Sequence, residues 1–168
     1  MNDARAIANF ILDQFDPALN EISNKKINKL IYYCHGFSLV RIGQPLVKNH
    51  FEAWTHGPVV KVVYEAFKQF EYRAIETRAV YFNYLSGMEE QVGYSEVGTN
   101  QLELSKKVVE HFIKFSADEL EELSHTQFGP WAKVWNTDES QRGLRSRIPN
   151  EDIQAYFQKR YGQNLSSH

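Results

Sequence analysis

Cysteine is nearly absent: Cys34 stands alone among 168 residues, so neither an intrachain disulfide nor a thiolate metal cluster can be built from this chain. That usage fits a reducing compartment. No apolar run approaches the length of a bilayer-spanning helix. The opening Met1-Asn2-Asp3-Ala4-Arg5 lacks the basic-then-apolar layout of a secretory signal. An excess of one charge sign is missing too. Nineteen Lys and Arg face 21 Asp and Glu, a formal net charge of -2, which gives no global attraction to nucleic acid or to an anionic membrane. Low-complexity segments and internal repeats are likewise absent. What the chain has in quantity is aromatic side chains, 11 Phe, 9 Tyr and 3 Trp spread along its length, enough for a packed core. The expectation is one soluble, cytoplasmic domain spanning residues 1–168.

Helical periodicity dominates. Ile7, Ala8, Ile11, Leu12 and Phe15 follow a capping Asn2 or Asp3 and stop at Asp16-Pro17, because proline cannot continue the helix. Ser23 or Asn24 caps a second helix with the stripe Ile27, Leu30, Ile31, Cys34 and Phe37, ended by Gly43-Gln44-Pro45. Two local rules are broken in it. Lys25, Lys26 and Lys29 crowd the positive end of the macrodipole, where a cation costs about 0.3–1 kcal/mol. Gly36 sits mid-helix, about 1 kcal/mol worse than alanine. Solvated lysines and a glycine that admits a close neighbour form the plainer account; lysines awaiting an acidic partner form the sharper one.

A brief strand fits within 46–54, and Gly57-Pro58 predicts a third helix with proline at its first position, carrying Val59, Val62, Val63, Ala66, Phe67 and Phe70. Residues 79–84 read as strand through Val80, Tyr81, Phe82 and Tyr84; residues 85–100 read as a variable polar loop. Leu104, Val108, Val109, Phe112 and Ile113 predict a further helix, and Ser116-Ala117-Asp118-Glu119 a capping box opening the next. Gly129-Pro130 repeats the helix-start pattern before Trp131, Val134 and Trp135. Arg142, Arg145 and Arg147 form a basic cluster in a loop; Asn150 caps a last helix with Ile153, Tyr156 and Phe157, leaving a short tail at 162–168. The fold class is mainly α, six to seven helices with at most a minor β element.

Catalytic readings find little to stand on. Cys34 lies on an apolar stripe, where a thiol is inert. His35, His50, His56 and His125 lack paired metal-ligand spacing, so no metal or cofactor is expected. Glu89-Glu90 and Glu121-Glu122 read as solvated surface, since neighbours along a helix do not face one another. No Gly-rich phosphate loop occurs. The expectation is therefore not an enzyme. A nucleic-acid-binding regulator, phage-borne or otherwise, is the alternative, docking phosphates through Lys25, Lys26, Lys29 and the arginine cluster, although no helix shows a basic reading face. Trp54 and Trp131 read as core anchors, and aromatic anchors also serve protein interfaces.

Several of these residues form a pattern. Ala6-Ile7-Ala8-Asn9-Phe10-Ile11-Leu12 is followed by Lys26-Ile27-Asn28-Lys29-Leu30-Ile31-Tyr32 and His35-Gly36, then Pro45-Leu46, Glu52-Ala53-Trp54 and Gly57-Pro58-Val59, and last Glu122-Leu123-Ser124-His125 with Pro130-Trp131. In order and spacing this resembles the Panacea domain of SocA-like antitoxins and phage-associated relatives. Glu-Ala-Trp with Gly-Pro-Val is its most specific part; the segment from Tyr72 to Asn100 matches least. The resemblance implies a helical bacterial or phage protein of the cytoplasm that neutralises a toxin encoded nearby by direct contact. Some members resemble adaptors that pass a bound toxin to a protease, and a homo-oligomer is compatible with the pattern. Nucleic acid and membrane are not expected partners. Lys26, Lys29, Trp54, His56, His125 and Trp131 are the candidate partner-binding residues, with Gly36, Gly57, Pro58 and Pro130 as the structural signature.

Overall fold

The Ser23 side chain accepts a hydrogen bond from the Lys26 amide and starts helix α2, Asn24–Arg41, on which the rest of the molecule packs. Residues 1–137 and 146–165 are described by the computed structural model. Fourteen of the eighteen residues of α2 are buried, polar ones included, so it is a central axis and not a surface helix with one apolar stripe. Helix α1, Ala4–Gln14, is capped by Asp3 and ends before Asp16-Pro17 as its sequence requires. It packs beside α2, as do the helices introduced below except the short one that starts at Pro130.

Gly36 is where α2 meets the last helix. A Cβ at this position would fall inside the ring of Phe157. The glycine's helix-propensity cost thus secures close approach, and Phe157 sits amid Tyr32, Tyr33, Phe37 and Tyr161. Tyr33 stacks on Phe112 at 4.2 Å from the other side. His35, next to the glycine, is buried and fully paired: the Val47 amide donates to Nδ1 at 3.4 Å, and Nε2 meets the Asn150 side-chain oxygen at 2.9 Å. With Nδ1 accepting, Nε2 must carry the proton.

After α2 the chain turns into strand β1, Phe51–Trp54, antiparallel to β2, Gly57–Val60. Here the Gly57-Pro58 expectation is corrected. Pro58 does not open a helix; it pairs with Ala53 in the strand, and helix α3, Lys61–Phe67, begins only after Val60. The reversal at Thr55-His56 decides this. Neither residue has positive φ, and Gly57 supplies it at +102°, closing the turn in a conformation that favours glycine. Proline is tolerated because β2 is an edge strand. A short 3-10 turn, Lys68–Phe70, ends the helix, and Val63, Phe67 and Phe70 are buried as the periodicity predicts.

The expected polar loop at 85–100 is corrected as well. Strand β3, Val80–Asn83, lies where a strand is expected, but β4, Met88–Gln91, pairs with it antiparallel, so a hairpin occupies the first part of that loop. Asn9 of α1 holds its base: the side chain donates to the Ala79 and Val92 carbonyls at 3.0 and 2.8 Å and accepts from the Ala79 amide at 2.8 Å.

Helix α4 runs Thr99–Phe112, and α5, Ala117–Ser124, opens on the full capping box of Ser116 and Glu119. Helix α6, Pro130–Trp135, does carry proline at its start. Strand β5, Arg147–Ile148, adds to β1 as the third strand of the sheet β2-β1-β5, so Arg147 belongs to a strand and not to a loop. Arg142 and Arg145 lie outside the described residues. Helix α7, Asn150–Tyr161, takes Pro149 as its cap position, leaving Asn150 free to meet His35; a 3-10 turn, Gly162–Leu165, follows. The molecule is mainly α, with seven α-helices and two small sheets among the described residues. One hydrophobic core joins them. Among the described residues no helix is long and apolar enough to cross a membrane.

Candidate partner-binding site

The β1–β2 turn rests on the start of α2 and on α5. Gly57 has no room for a side chain: a Cβ would lie 2.8 Å from Ser124 Oγ and 3.0 Å from Lys29 Nζ. Lys29 is buried beneath it, donating to the Pro58 carbonyl at 3.0 Å. Burial pulls its amine down to about 7, a head removed from water with no carboxylate in contact among the described residues. Trp131 fixes the same turn from α6, its Nε1 donating to the Trp54 carbonyl at 2.7 Å. The His125 ring stacks on Trp131 at 3.8 Å, and Trp135 stacks on Trp131 at 5.4 Å. His125 Nε2 is buried and finds no hydrogen-bond partner among the described residues, and burial pulls the ring's pKa below the usual histidine value.

A charged cluster borders the turn. Lys25 pairs with both Asp118 and Glu121, and His56 Nδ1 approaches the second Glu121 oxygen at 3.2 Å. Burial pushes the Glu121 carboxyl up, but Lys25 and His56 outweigh it and hold it below the usual carboxylate range. The expectation of Glu121 as solvated surface is thereby corrected; it joins α5 to α2 and to the turn.

Lys26 points elsewhere. It is buried, and its ammonium is held by the Asn20 and Ile113 carbonyls at 2.7 and 2.8 Å, with burial lowering its pKa. The basic start of α2 is therefore neither solvated nor waiting for a partner. Two lysines are spent on backbone carbonyls, the third on carboxylates, and no phosphate-docking face remains among them.

Beside the turn opens a groove of about 610 Å³. Its buried lining is mixed, Asn24, Asn28 and Lys29 beside Ala53 and Val59; Trp54, Tyr64 and Trp135 supply aromatic wall; Thr55, His56, Lys68 and Glu71 are exposed around it. Trp54 packs edge-on against Tyr64 at 4.9 Å, and its indole donates to Glu52. Apolar walls with a few polar groups are what a specific binding site presents. The arrangement suits an apolar side chain that carries a polar or acidic neighbour.

Of the six candidate residues, five gather here: Lys29, Trp54, His56, His125 and Trp131. Trp54 and His56 face the groove, while Lys29 and Trp131 are buried supports. Lys26 stands apart. Tyr64, Lys68 and Trp135 were missed; Tyr64 falls on the exposed face of α3, and nothing in its spacing marks it off from a solvated aromatic. Cys34 is in the core, its thiol directed at the Ser105 carbonyl and pushed up by burial to about 12.

The arrangement defines a class, a helical domain with a β-hairpin wedged between α2, α5 and α6, in which Gly57, Pro58 and Trp131 fix the β1–β2 turn and Trp54 lines the groove beside it. That class is described by the family model "Antitoxin SocA-like, Panacea domain", which matches residues 27–132. Over 155 residues the chain is 37% identical to Antitoxin SocA of Caulobacter vibrioides (strain NA1000 / CB15N), covering 92% of this chain and 82% of that protein. This chain belongs to the SocA-like Panacea family. No solved structure matches it significantly.

Proposed function

We propose that the chain is an antitoxin that binds a cognate protein toxin and neutralises it by complex formation, without a catalytic step of its own. The observation that supports this reading is the 37% identity to Antitoxin SocA along nearly the whole chain, joined to a groove that Trp54 lines beside the Gly57-Pro58 turn. The toxin is taken to be the product of a neighbouring gene, and the cytoplasm the place where the two meet. Trp54, Tyr64 and His56 are the contact residues in this reading.

Co-expression tests it. The adjacent gene product should arrest growth alone, be harmless beside this protein, and co-purify with it. Trp54→Ala combined with Tyr64→Ala should abolish rescue while the variant stays folded by circular dichroism. A harmless neighbour that never associates would sink the reading. Delivery to a protease is a separate step, read by the toxin's half-life: masking alone leaves it long, and adaptor action shortens it when this protein is present.

A further inference from the structure

The β3–β4 hairpin stands out once the groove is assigned. Six of the molecule's exposed large apolar side chains fall within nine residues of it: Val80, Tyr81, Phe82, Tyr84, Leu85 and Met88, with Tyr84 89% and Leu85 99% exposed at the tip. Phe82 and Tyr84 meet edge-on at 5.0 Å and form one aromatic face. Among the described residues neither strand has a second neighbour in its sheet, so each keeps one edge without a partner strand. An isolated two-stranded hairpin is marginal in water, and an apolar one with open edges is a liability unless something covers it.

The base, by contrast, is firmly held. Three hydrogen bonds join it to Asn9, the Arg5 guanidinium donates to the Val80 carbonyl at 3.3 Å, and Arg78 pairs with Asp13 at 2.6 Å while donating to the Leu12 carbonyl. A rigid root under an exposed apolar tip describes a presented arm and not a frayed loop.

Charge indicates what covers it. From Ala79 to Ser105 the sequence has no Lys, Arg or His, but carries Glu89, Glu90, Glu96 and Glu103. Glu89 lies opposite Phe82 in the hairpin register and is exposed beside the aromatic face. Two copies of this arm laid together would bring like charges into contact, which disfavours self-pairing. An apolar patch fringed by Lys or Arg is the complement.

We infer that the β3–β4 hairpin is a second docking element, an arm that lays Phe82, Tyr84, Leu85 and Met88 on a basic-rimmed apolar surface of the toxin. The inference rests on the antitoxin reading above. Aromatic and Met side chains are those that interfaces enrich, and the open strand edges allow pairing with a strand of the partner.

The test uses the full chain and the co-expressed product of the adjacent gene. Tyr84→Ser with Leu85→Ser removes the two most exposed anchors without touching the core, so the melting temperature should not move. Binding to the toxin should weaken at least about tenfold, since central aromatic anchors dominate interface energies. Glu89→Lys should weaken binding at low salt and flatten its salt dependence. If the unmodified protein binds and the double variant binds equally well, the arm is not an interface and the antitoxin reading stands. If the unmodified protein does not bind at all, both fall. A dimer of the free protein that the double variant converts to monomer would overturn the basic toxin as occupant and put a second copy there.

Discussion

Lys29 carries an amine to a place where the Pro58 carbonyl, 3.0 Å away, is its hydrogen-bond acceptor. Its folded value of about 7 lies below the ordinary 10.5. Between those values the unfolded chain binds a proton that the folded chain does not, so stability rises with pH across the window and is lost as pH falls toward 7. The rise from pH 7 to pH 9 should be about 2 kcal/mol in urea unfolding. Above about pH 10 Tyr32 and Tyr33 work in the opposite sense, because burial holds their hydroxyls protonated while the unfolded chain ionises. Lys29→Met should remove the rise and leave the neutral-pH stability equal or higher, since an apolar side chain of similar shape avoids burying an amine. A variant that keeps the pH 7 to 9 slope would show that another group produces it. His35 gives the acid counterpart. Burial lowers it to about 4 from 6.5, so its contribution is full above 6.5 and is lost as pH falls through that window toward 4, about 2 kcal/mol by pH 4.5. Its ring should show no protonation by NMR at pH 5.5; a midpoint near 6.5 would refute the burial argument. The lysines also mark where the sequence misleads. A cation in the first turns of a helix is ordinarily solvated, and the acceptors that bury Lys26 and Lys29 are backbone carbonyls 6, 29 and 87 residues away, which no local pattern reveals.

Elements were legible where their signals are local, and less so where pairing decides. The capping box at Ser116 and the Asp3 and Ser23 caps form as read, because each is satisfied within one turn of its own helix. The two Gly-Pro pairs share a dipeptide but not an outcome. Pro130 begins α6, whereas Pro58 is drawn into a strand by its partner Ala53, a tertiary choice that overrides the local preference. Strand β4 escaped notice since Met88-Glu89-Glu90-Gln91 has no β-branched residue or apolar alternation; it is a strand only because β3 lies beside it. Two changes probe these elements. Gly36→Ala adds a methyl where Phe157 already stands, and overpacking of this kind costs about 1–3 kcal/mol; an unchanged unfolding midpoint would mean that α7 can step back at no cost. Asn9→Leu removes three hydrogen bonds at the root of the β3–β4 arm and takes the side-chain partner from the Ala79 amide and the Val92 carbonyl, at about 1–3 kcal/mol each, while the Ala79 carbonyl keeps the Val92 amide. Amide exchange should accelerate at Ala79, whose N–H loses its acceptor, well beyond any change at α2.

At the scale of the molecule, the buried polar groups and the exposed apolar ones point to a division of labour. The buried set, Lys26, Lys29, His35 and Asn9, fixes where turns and hairpins sit, while in the proposed reading the groove wall and the arm meet the partner. Binding to the folded state alone stabilises by mass action, about 2.7 kcal/mol when free partner is a hundred times its dissociation constant. For a chain of this size each kcal/mol moves the melting temperature by roughly 2–4 °C. Saturating toxin should therefore raise the midpoint of this protein by roughly 5–11 °C. The comparison that matters uses variants on the two surfaces. Trp54→Ala with Tyr64→Ala, and Tyr84→Ser with Leu85→Ser, each remove part of the contact, so each should cut the ligand-induced rise, and the four changes together should abolish it. Equal losses from either pair would mean that both surfaces are engaged in one complex. A rise that survives the groove pair but not the arm pair would move the binding site from the family's signature residues to the hairpin.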